Sequence, residues 1–485
     1  MRASLLLSPA GIVLILFALA FLAYLASSKT AFSRIILILA GLFSIGAFAY
    51  QLSVFRKPVI TEFGNFMAPF GIVFYTTQFN LLAALLFSLL FFILAFYYVF
   101  EKERNGYFYP LLILHYAAGI GLLFTADFFN FFVLFEIFTI SLYAAVASSR
   151  AKAKLHGALK MMILGSAGAV IILVAIALIY LSFNTLNMAD VSKHIYSVSG
   201  DIRMLILVLL TIGFAVELKL FPMNVWIKDV YKESGITLLG IISSFSGAIL
   251  LVAVYRIYYL VFPGTGIHFL YFMGLITMYA AAAAALSTKN ILSLFGLSSA
   301  VQLGFVLVAL NLRNAATTQF AVNQLFVIGF IEAFIFLLLS VTKTKSYEAK
   351  EFTALYYRYP FLAGIFGVLL IMYAGFPPSP VFWTKIGILW GFFNGGHYLL
   401  GVLIMVPLVI EIIYLTKLII IIFTDVEVNF VEEKFKIGGY ILAAAVLCLL
   451  IIGVFPQKTY HLFSPVYDSL TGRITFIKTV MRGIL

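Results

Sequence analysis

Apolar residues run along this chain in long unbroken stretches instead of alternating with polar ones. "ILILAGLFSIGAFAY" (36–50) and "AAAVLCLLIIGVFP" (443–456) are typical. A transmembrane β-barrel needs a period of two, which these runs lack. Apolar runs of roughly 18 or more residues predict membrane-spanning helices, and they recur from end to end. The pattern divides into about 14 spans, at 5–26, 32–53, 79–100, 108–126, 128–147, 159–182, 203–222, 236–262, 268–286, 290–312, 318–342, 361–386, 399–424 and 437–456. The fold class expected is an all-α integral membrane protein. Polar linkers separate the spans, and none is long enough for a separate soluble domain. The first run is long for a signal peptide and lacks a clear cleavage site, so an uncleaved first span is expected.

Two segments carry helix breakers at membrane depth. One is "FAVELKLFPMNVWIKD" (214–229), broken near Pro222; the other is "YAGFPPSPVFWTKIGILWGFF" (373–393), broken near Gly375, Pro377, Pro378 and Pro380. Proline removes a backbone donor and clashes with the preceding turn. Within a bilayer such breaks survive only where protein or a water-filled cavity satisfies the freed groups. The two broken spans are the seventh and the twelfth. That odd offset gives the copies opposite orientation, as in an inverted repeat. The organisation expected is N-terminal helices over 1–107, a five-helix unit over 108–262, its inverted copy over 263–424, and a last helix with its tail over 425–485.

Composition agrees with a membrane protein. Of 485 residues 64% are hydrophobic and 10% charged, far from the usage of soluble domains. The balance of 31 Lys+Arg against 19 Asp+Glu gives +12. In a soluble chain that excess points to nucleic acid; here it reads as loop charge that sets orientation. Loops after odd-numbered spans hold about 17 Lys or Arg against about 10 on the other side. They include Arg150, Lys152, Lys154, Lys160, Lys343, Lys345, Lys350 and Arg358. The positive-inside rule puts those loops in the cytoplasm and both termini outside, in the plasma membrane. The single Cys448 lies in an apolar run and reads as a packed thiol without a disulfide partner. There is no cysteine cluster for a metal or iron–sulfur centre and no nucleophile–base motif. "GLSSAVQLG" (296–304) lies inside an apolar span and is no phosphate loop. No cofactor, no metal and no catalytic chemistry of the chain's own is expected, so any redox step belongs to another subunit.

The informative residues are the charges left inside the spans. Each costs on the order of 2.5–3.5 kcal/mol at mid-membrane. They are Glu136, Glu217, Lys219, Glu332 and Lys385. Glu136 lies about 13 Å along its helix, too deep for a short side chain to reach water. It reads either as a protonatable site or as half of a structural ion pair. Lys385 follows the Pro-rich break, where it either handles an ion or caps freed carbonyls. Glu217 and Lys219 are about 200° apart on a regular helix, so only one faces Glu136 unless the helix is distorted. Glu332 is mid-span with no partner nearby in sequence. His115 reads as a hydrogen-bonded packing residue more than as a relay. Arg256 and Lys417 are expected to snorkel, and Glu411 to pair with Lys417 or to face another subunit. Asp127 and Lys160 fall at span ends.

These residues carry a resemblance. "GLLFTADFFNFFVLFEIFTISLYAAVA" (121–147), "GFAVELKLFPMNVWIKDVY" (213–231) and "GFPPSPVFWTKIGIL" (375–389) resemble, in order, three motifs of the antiporter-like membrane subunits. Those subunits belong to respiratory complex I, Mrp cation/proton antiporters and energy-converting membrane-bound hydrogenases. "PFGIVF" (69–74) and "LSSAVQLGF" (297–305) also fit, so the resemblance covers nearly the whole chain. It implies two inverted half-channels in which a glutamate of span five and lysines of spans seven, eight and twelve carry protons. Glu136 matches the glutamate and Lys385 the twelfth-span lysine. Glu217 stands where the seventh-span lysine is usual, with Lys219 displaced. Leu251 stands for the eighth-span lysine, and Glu332 where a later span often has lysine.

The function this implies is translocation of H⁺ or Na⁺ within a multisubunit membrane complex, coupled to a ferredoxin-linked hydrogenase or related reductase. The alternatives are a structural subunit of the same complex and a free-standing solute transporter. On the first reading Ser243, Ser244 and Ser246, or water, would bridge the gap at Leu251. The partners expected are other membrane subunits, the lipid bilayer and the transported ion, with no nucleic acid.

Overall fold

The computed structural model describes residues 8–64, 66–98, 106–148, 152–342, 347–424 and 437–481. Arg150, Lys343, Lys345 and both chain ends lie outside the described residues, as do the side chains of Lys152 and Lys154. The protein is built of helices. In chain order α1 is Pro9–Leu25, α2 Thr30–Val54, α3 Gln78–Tyr98, α4 Phe108–Phe124, α5 Phe128–Ala147, α6 Lys152–Phe183, α7 Met188–His194 and α8 Gly200–Phe214. Beyond the first break come α9 Ile227–Glu233, α10 Ile236–Leu260, α11 Ile267–Ser287, α12 Ile291–Leu310 and α13 Ala315–Val341. Next are α14 Leu355–Arg358, α15 Pro360–Ala374, α16 Pro380–Asn394 and α17 Tyr398–Phe423. Last are α18 Ile437–Val454, α19 Pro456–Leu462, α20 Pro465–Thr471 and α21 Arg473–Val480.

Among the described residues nine helices are long and apolar enough to cross a membrane, or up to ten if a bent pair counts as one span. Three apolar helices, α1, α4 and α15, are shorter. Many starts follow from capping, in which a side-chain oxygen takes up a free N–H of the first turn. Asp127 accepts from Asn130 N at 2.8 Å, Asn290 from Ser293 N at 3.0 Å and Ser379 from Phe382 N at 3.2 Å.

Contacts divide the chain into two compact units. The first comprises Met1–Leu218, Phe245–Phe269 and Pro465–Leu485; the second comprises Lys219–Ser244 and Leu270–Ser464. The first unit contains strands that the apolar pattern does not predict, an antiparallel hairpin of β1 (Val59–Glu62) and β2 (Val73–Thr76), with Ile60 opposite Tyr75. It is tied to the head of α5, where Ala126 N donates to Val73 O at 2.8 Å.

In the second unit α12 is the core: every one of its residues is buried. Gly304 of α12 packs against Gly274 of α11 so closely that a Cβ on Gly304 would lie 2.9 Å from the Gly274 carbonyl oxygen. Small residues permit such close helix contacts in membranes.

Both expected breaks are present, and they split the spans further than the apolar pattern implies. α8 stops at Phe214, and turns carry the chain to α9. α15 ends on Gly375, whose φ of 88° is left-handed. α16 then starts afresh on Pro380 and runs to Asn394, past the expected end of the span at 386. The hydropathy run blurs two half-helices into one because their ends are apolar. A third irregularity, a π-helical turn over Ile242–Ser246, lies inside α10.

Candidate functional site

In the first unit, α5 places Glu136 and Tyr143 seven residues apart, on one face after two turns. The Tyr143 hydroxyl donates to Glu217 Oε1 at 2.6 Å. Tyr143 also feels the charge of both Glu217 and Glu136. One tyrosine thus stands in the field of two carboxylates. Glu136 is half-buried, and its Oε1, shielded from solvent, has no hydrogen-bond partner among the described residues. A carboxylate oxygen shielded from water without a hydrogen-bond partner is costly. His115 is fully buried between Phe138 O and Ser246 Oγ, each 2.8 Å away, and stacks on the Phe138 ring at 4.0 Å, as a packing residue would.

One expectation fails in this unit and two in the other. Arg256 does not snorkel: it is 5% exposed, and its guanidinium donates to the Leu123 carbonyl. The end of α4 leaves that carbonyl free, and Arg256 takes it up. Cys448 is not packed: it is exposed on α18, whose apolar surface is only partly covered by the rest of the chain. Glu411 does not pair with Lys417. It is fully buried and pairs with Lys385, while Lys417 is exposed.

In the second unit the break after α8 frees Lys219. Its φ of 56° is left-handed, so the regular 100° step per residue does not hold there. The helix is locally distorted, the condition under which Glu217 and Lys219 escape facing opposite ways on one helix. Lys219 Nζ donates to Ser299 Oγ at 2.7 Å and to Tyr231 Oη at 3.1 Å. Tyr231 in turn bonds Ser243 Oγ at 2.6 Å, on the π-turn. Glu332 accepts from the Tyr373 hydroxyl at 2.9 Å. Thus Glu332, without a partner near in sequence, finds one 41 residues on, in Tyr373.

The second break builds a second cluster. Lys385 Nζ is 3.0 Å from Glu411 Oε2, and it also donates to the Ala374 and Tyr373 carbonyls at 3.2 and 3.4 Å. Those carbonyls are the ones the end of α15 releases, so Lys385 caps the break and pairs its acid at once. Behind the pair, Gln302 Nε2 donates to Glu411 Oε2 at 2.6 Å, Gln324 Nε2 donates to Gln302 Oε1 at 2.7 Å, and the Thr384 hydroxyl donates to Gln324 Oε1. Every donor in that chain points towards Glu411. Tyr414 reaches Glu411 Oε1 at 3.4 Å and shares a hydrogen bond of 2.8 Å with Ser298.

Of the five residues singled out from sequence, Lys219, Glu332 and Lys385 lie in the second unit, in two buried clusters. Glu136 and Glu217 share Tyr143 in the first unit. Tyr143, Ser299, Gln302, Gln324, Tyr373, Thr384 and Tyr414 do not stand out in the sequence, and Glu411 stands out there only as a local neighbour of Lys417 or a subunit contact. The available signal was the polar trio of "LSSAVQLG" inside a span with no lipid-facing side. Ser243 and Ser246 lie on the π-turn as hydrogen-bond partners of Tyr231 and His115, Ser244 bonds back to Gly240 O, and Leu251 is 1% exposed.

The sequence pattern described as "NADH:quinone oxidoreductase/Mrp antiporter, TM" matches residues 125–411. The chain belongs to that family. It is 25% identical over 441 residues to an Na(+)/H(+) antiporter subunit of Alkalihalophilus pseudofirmus, covering 87% of this chain and 88% of that one. It is 28% identical over 380 residues to an NADH-quinone oxidoreductase subunit of Campylobacter concisus, covering 74% and 75%. A chain of the membrane-bound sulfane sulfur reductase, an archaeal respiratory membrane complex, superposes with a TM-score of 0.90 at 24% identity, over 98% of this chain and 100% of that one. A chain of the Mrp complex from Dietzia sp. DQ12-45-1b gives 0.85 at 17%, over 98% and 99%. Such identities to solved structures speak for the fold alone. This is an antiporter-like multi-pass membrane subunit, of the kind found in Mrp antiporters and complex I-like assemblies.

Proposed function

We propose that this subunit translocates protons across the plasma membrane within a multisubunit complex, coupled to a ferredoxin-linked hydrogenase or a related reductase. The observation that carries the reading is the set of four buried charges in one unit: Lys219, Glu332, Lys385 and Glu411. Uncompensated charges of this kind are too costly for a bilayer interior. Here two cations balance two anions: Lys219 donates to Ser299 and Tyr231, Tyr373 gives its hydroxyl to Glu332 and its carbonyl to Lys385, and Lys385 pairs with Glu411. A proton shifted within a formally neutral set creates less uncompensated charge than one added to an isolated group. The reading includes fourteen spans, two inverted five-helix repeats over 108–262 and 263–424, and both termini on the outer side. Glu136 and Glu217, with Tyr143 between them in charge, form the first unit's share of the ion path.

A second reading has its own support. Leu251 is apolar and buried where the family resemblance expects a lysine, which suits a structural subunit that has given up transport. Ion uptake into vesicles carrying the intact complex separates the two, with wild type set against Glu136→Gln and Lys385→Ala. Uptake that collapses while the complex stays assembled supports translocation; uptake that stays at the wild-type rate reduces the chain to a scaffold.

A further inference from the structure

A cavity of about 400 Å³ opens on the surface of the second unit. Its mouth is set by Thr288, Lys289, Glu348, Lys350 and Lys417, and its inner wall includes Tyr414. The mouth is pinned by backbone pairing: Ile291 N donates to Tyr347 O and Ala349 N to Lys289 O, both at 2.9 Å. Tyr414 is 3% exposed, yet it lines this cavity while its hydroxyl lies 3.4 Å from Glu411 Oε1 and 2.8 Å from Ser298 Oγ. Tyr414 is thus at once a wall of the cavity and a neighbour of the buried Glu411–Lys385 pair.

We propose that this cavity is the cytoplasmic portal through which protons reach Lys385, with Tyr414 as the relay. This rests on the translocating reading above and adds the route and its side. Lys289 and Lys350 lie in loops that the positive-inside rule assigns to the cytoplasm. Three lysines against one glutamate make the mouth net positive, which disfavours a free metal cation. A proton passed between water molecules and hydroxyls needs no cation-binding site there.

The Gln302–Gln324 chain is no alternative route, since a carboxamide does not readily take up a proton and hand on another; it orients Glu411. The step balances as follows. The Tyr414 hydroxyl gives its proton to Glu411 Oε1 while its oxygen takes one from a chain of water in the cavity, which is resupplied with a proton from the cytoplasm. Glu411 becomes neutral, so Lys385 loses its counter-charge and releases a proton to water at the helix break. Glu411 then passes its proton to Lys385 Nζ, and the ion pair is restored. One proton has entered and one has left.

The test uses the intact complex in vesicles, with proton uptake followed by an internal pH dye. Tyr414→Phe keeps the ring and removes the relay atom; uptake should fall on the order of a hundredfold or more, with assembly intact. Independently, Thr288→Cys in a Cys448→Ala background puts a thiol on the cavity wall. A bulky membrane-impermeant thiol reagent should block uptake when added to the cytoplasmic face and not from the other face. If Tyr414→Phe fails to assemble, the labelling decides alone. If Lys385→Ala abolishes uptake while both the phenylalanine variant and the blocked thiol transport at the wild-type rate, the portal is wrong and the subunit still translocates. If Lys385→Ala also transports normally, the translocating reading itself falls.

Discussion

Lys385 Nζ and Glu411 Oε2 stand 3.0 Å apart, on two different helices, with the carboxylate fully shielded from solvent. Removing one partner of such a pair leaves a buried charge and costs about 3–5 kcal/mol. Glu411→Gln should therefore impair assembly or thermal stability of the complex more than Lys417→Gln, whose side chain is exposed. The double variant Glu411→Gln with Lys385→Met leaves no unpaired charge at this site. It should regain the stability of the wild type and still not transport, as melting and uptake measured side by side would reveal. Recovery of transport in the double variant would mean that the pair serves the fold alone.

Lys219 owes its reach to a backbone conformation that L-residues rarely adopt. Its φ of 56° is left-handed, a region that costs most residues roughly 1–2 kcal/mol. A β-branched residue suffers most there. Lys219→Val should lower stability more than Lys219→Gly, although both remove the ammonium group. Transport should be lost equally in the two, since neither can donate to Ser299. A thermal-shift series on the purified complex reads the difference, and equal melting temperatures would argue against a strained position.

Much of this fold was legible in sequence because a bilayer demands long apolar runs, and those runs located the main helices and both breaks. Glu136, Glu217, Lys219, Glu332 and Lys385 stood out for the same reason: a charge in an apolar run is conspicuous. Their partners did not, because pairing is a property of tertiary packing. Glu411 lies 26 residues beyond Lys385, and the local neighbour Lys417 made a plausible but wrong partner. Neutral polar residues were harder still. Ser299, Gln302 and Gln324 hardly change the hydropathy of their spans, and their importance comes from lying on helices buried on nearly every side. The hairpin was missed because strands so short leave little periodic signal.

Tyr143 offers a cleaner perturbation of the first unit than either glutamate. Its hydroxyl donates to Glu217 Oε1 at 2.6 Å, and a hydrogen bond to a charged group is worth about 1.5–3 kcal/mol. Tyr143→Phe should weaken the fold by that order and slow uptake. Tyr143→Phe combined with Glu217→Gln should be less damaged than the sum of the two single changes, because the pair acts as a unit. Additive effects in a double-mutant cycle would show that the tyrosine and the acid work separately.

Asp127 sits just ahead of α5, with its carboxylate capping Asn130 N. Burial pushes its acid up from the ordinary value of 3.8, and the backbone donors at Asn130 and Phe129 offset only part of that. An acid whose pKa is raised by folding holds its proton more tightly in the native state. The native protein is therefore penalised as pH rises through the folded pKa, and the penalty is absent where both states are protonated. Asparagine caps a helix about as well as aspartate and carries no charge. Asp127→Asn should thus match the wild type below pH 3.8, where the native carboxyl is already neutral, and exceed it in melting temperature at neutral pH. Asp127→Ala loses the cap at every pH and should cost about 0.5–2 kcal/mol throughout. A wild type that is the more stable of the two at neutral pH would mean that the charge at the head of α5 helps more, through the helix dipole, than its burial costs.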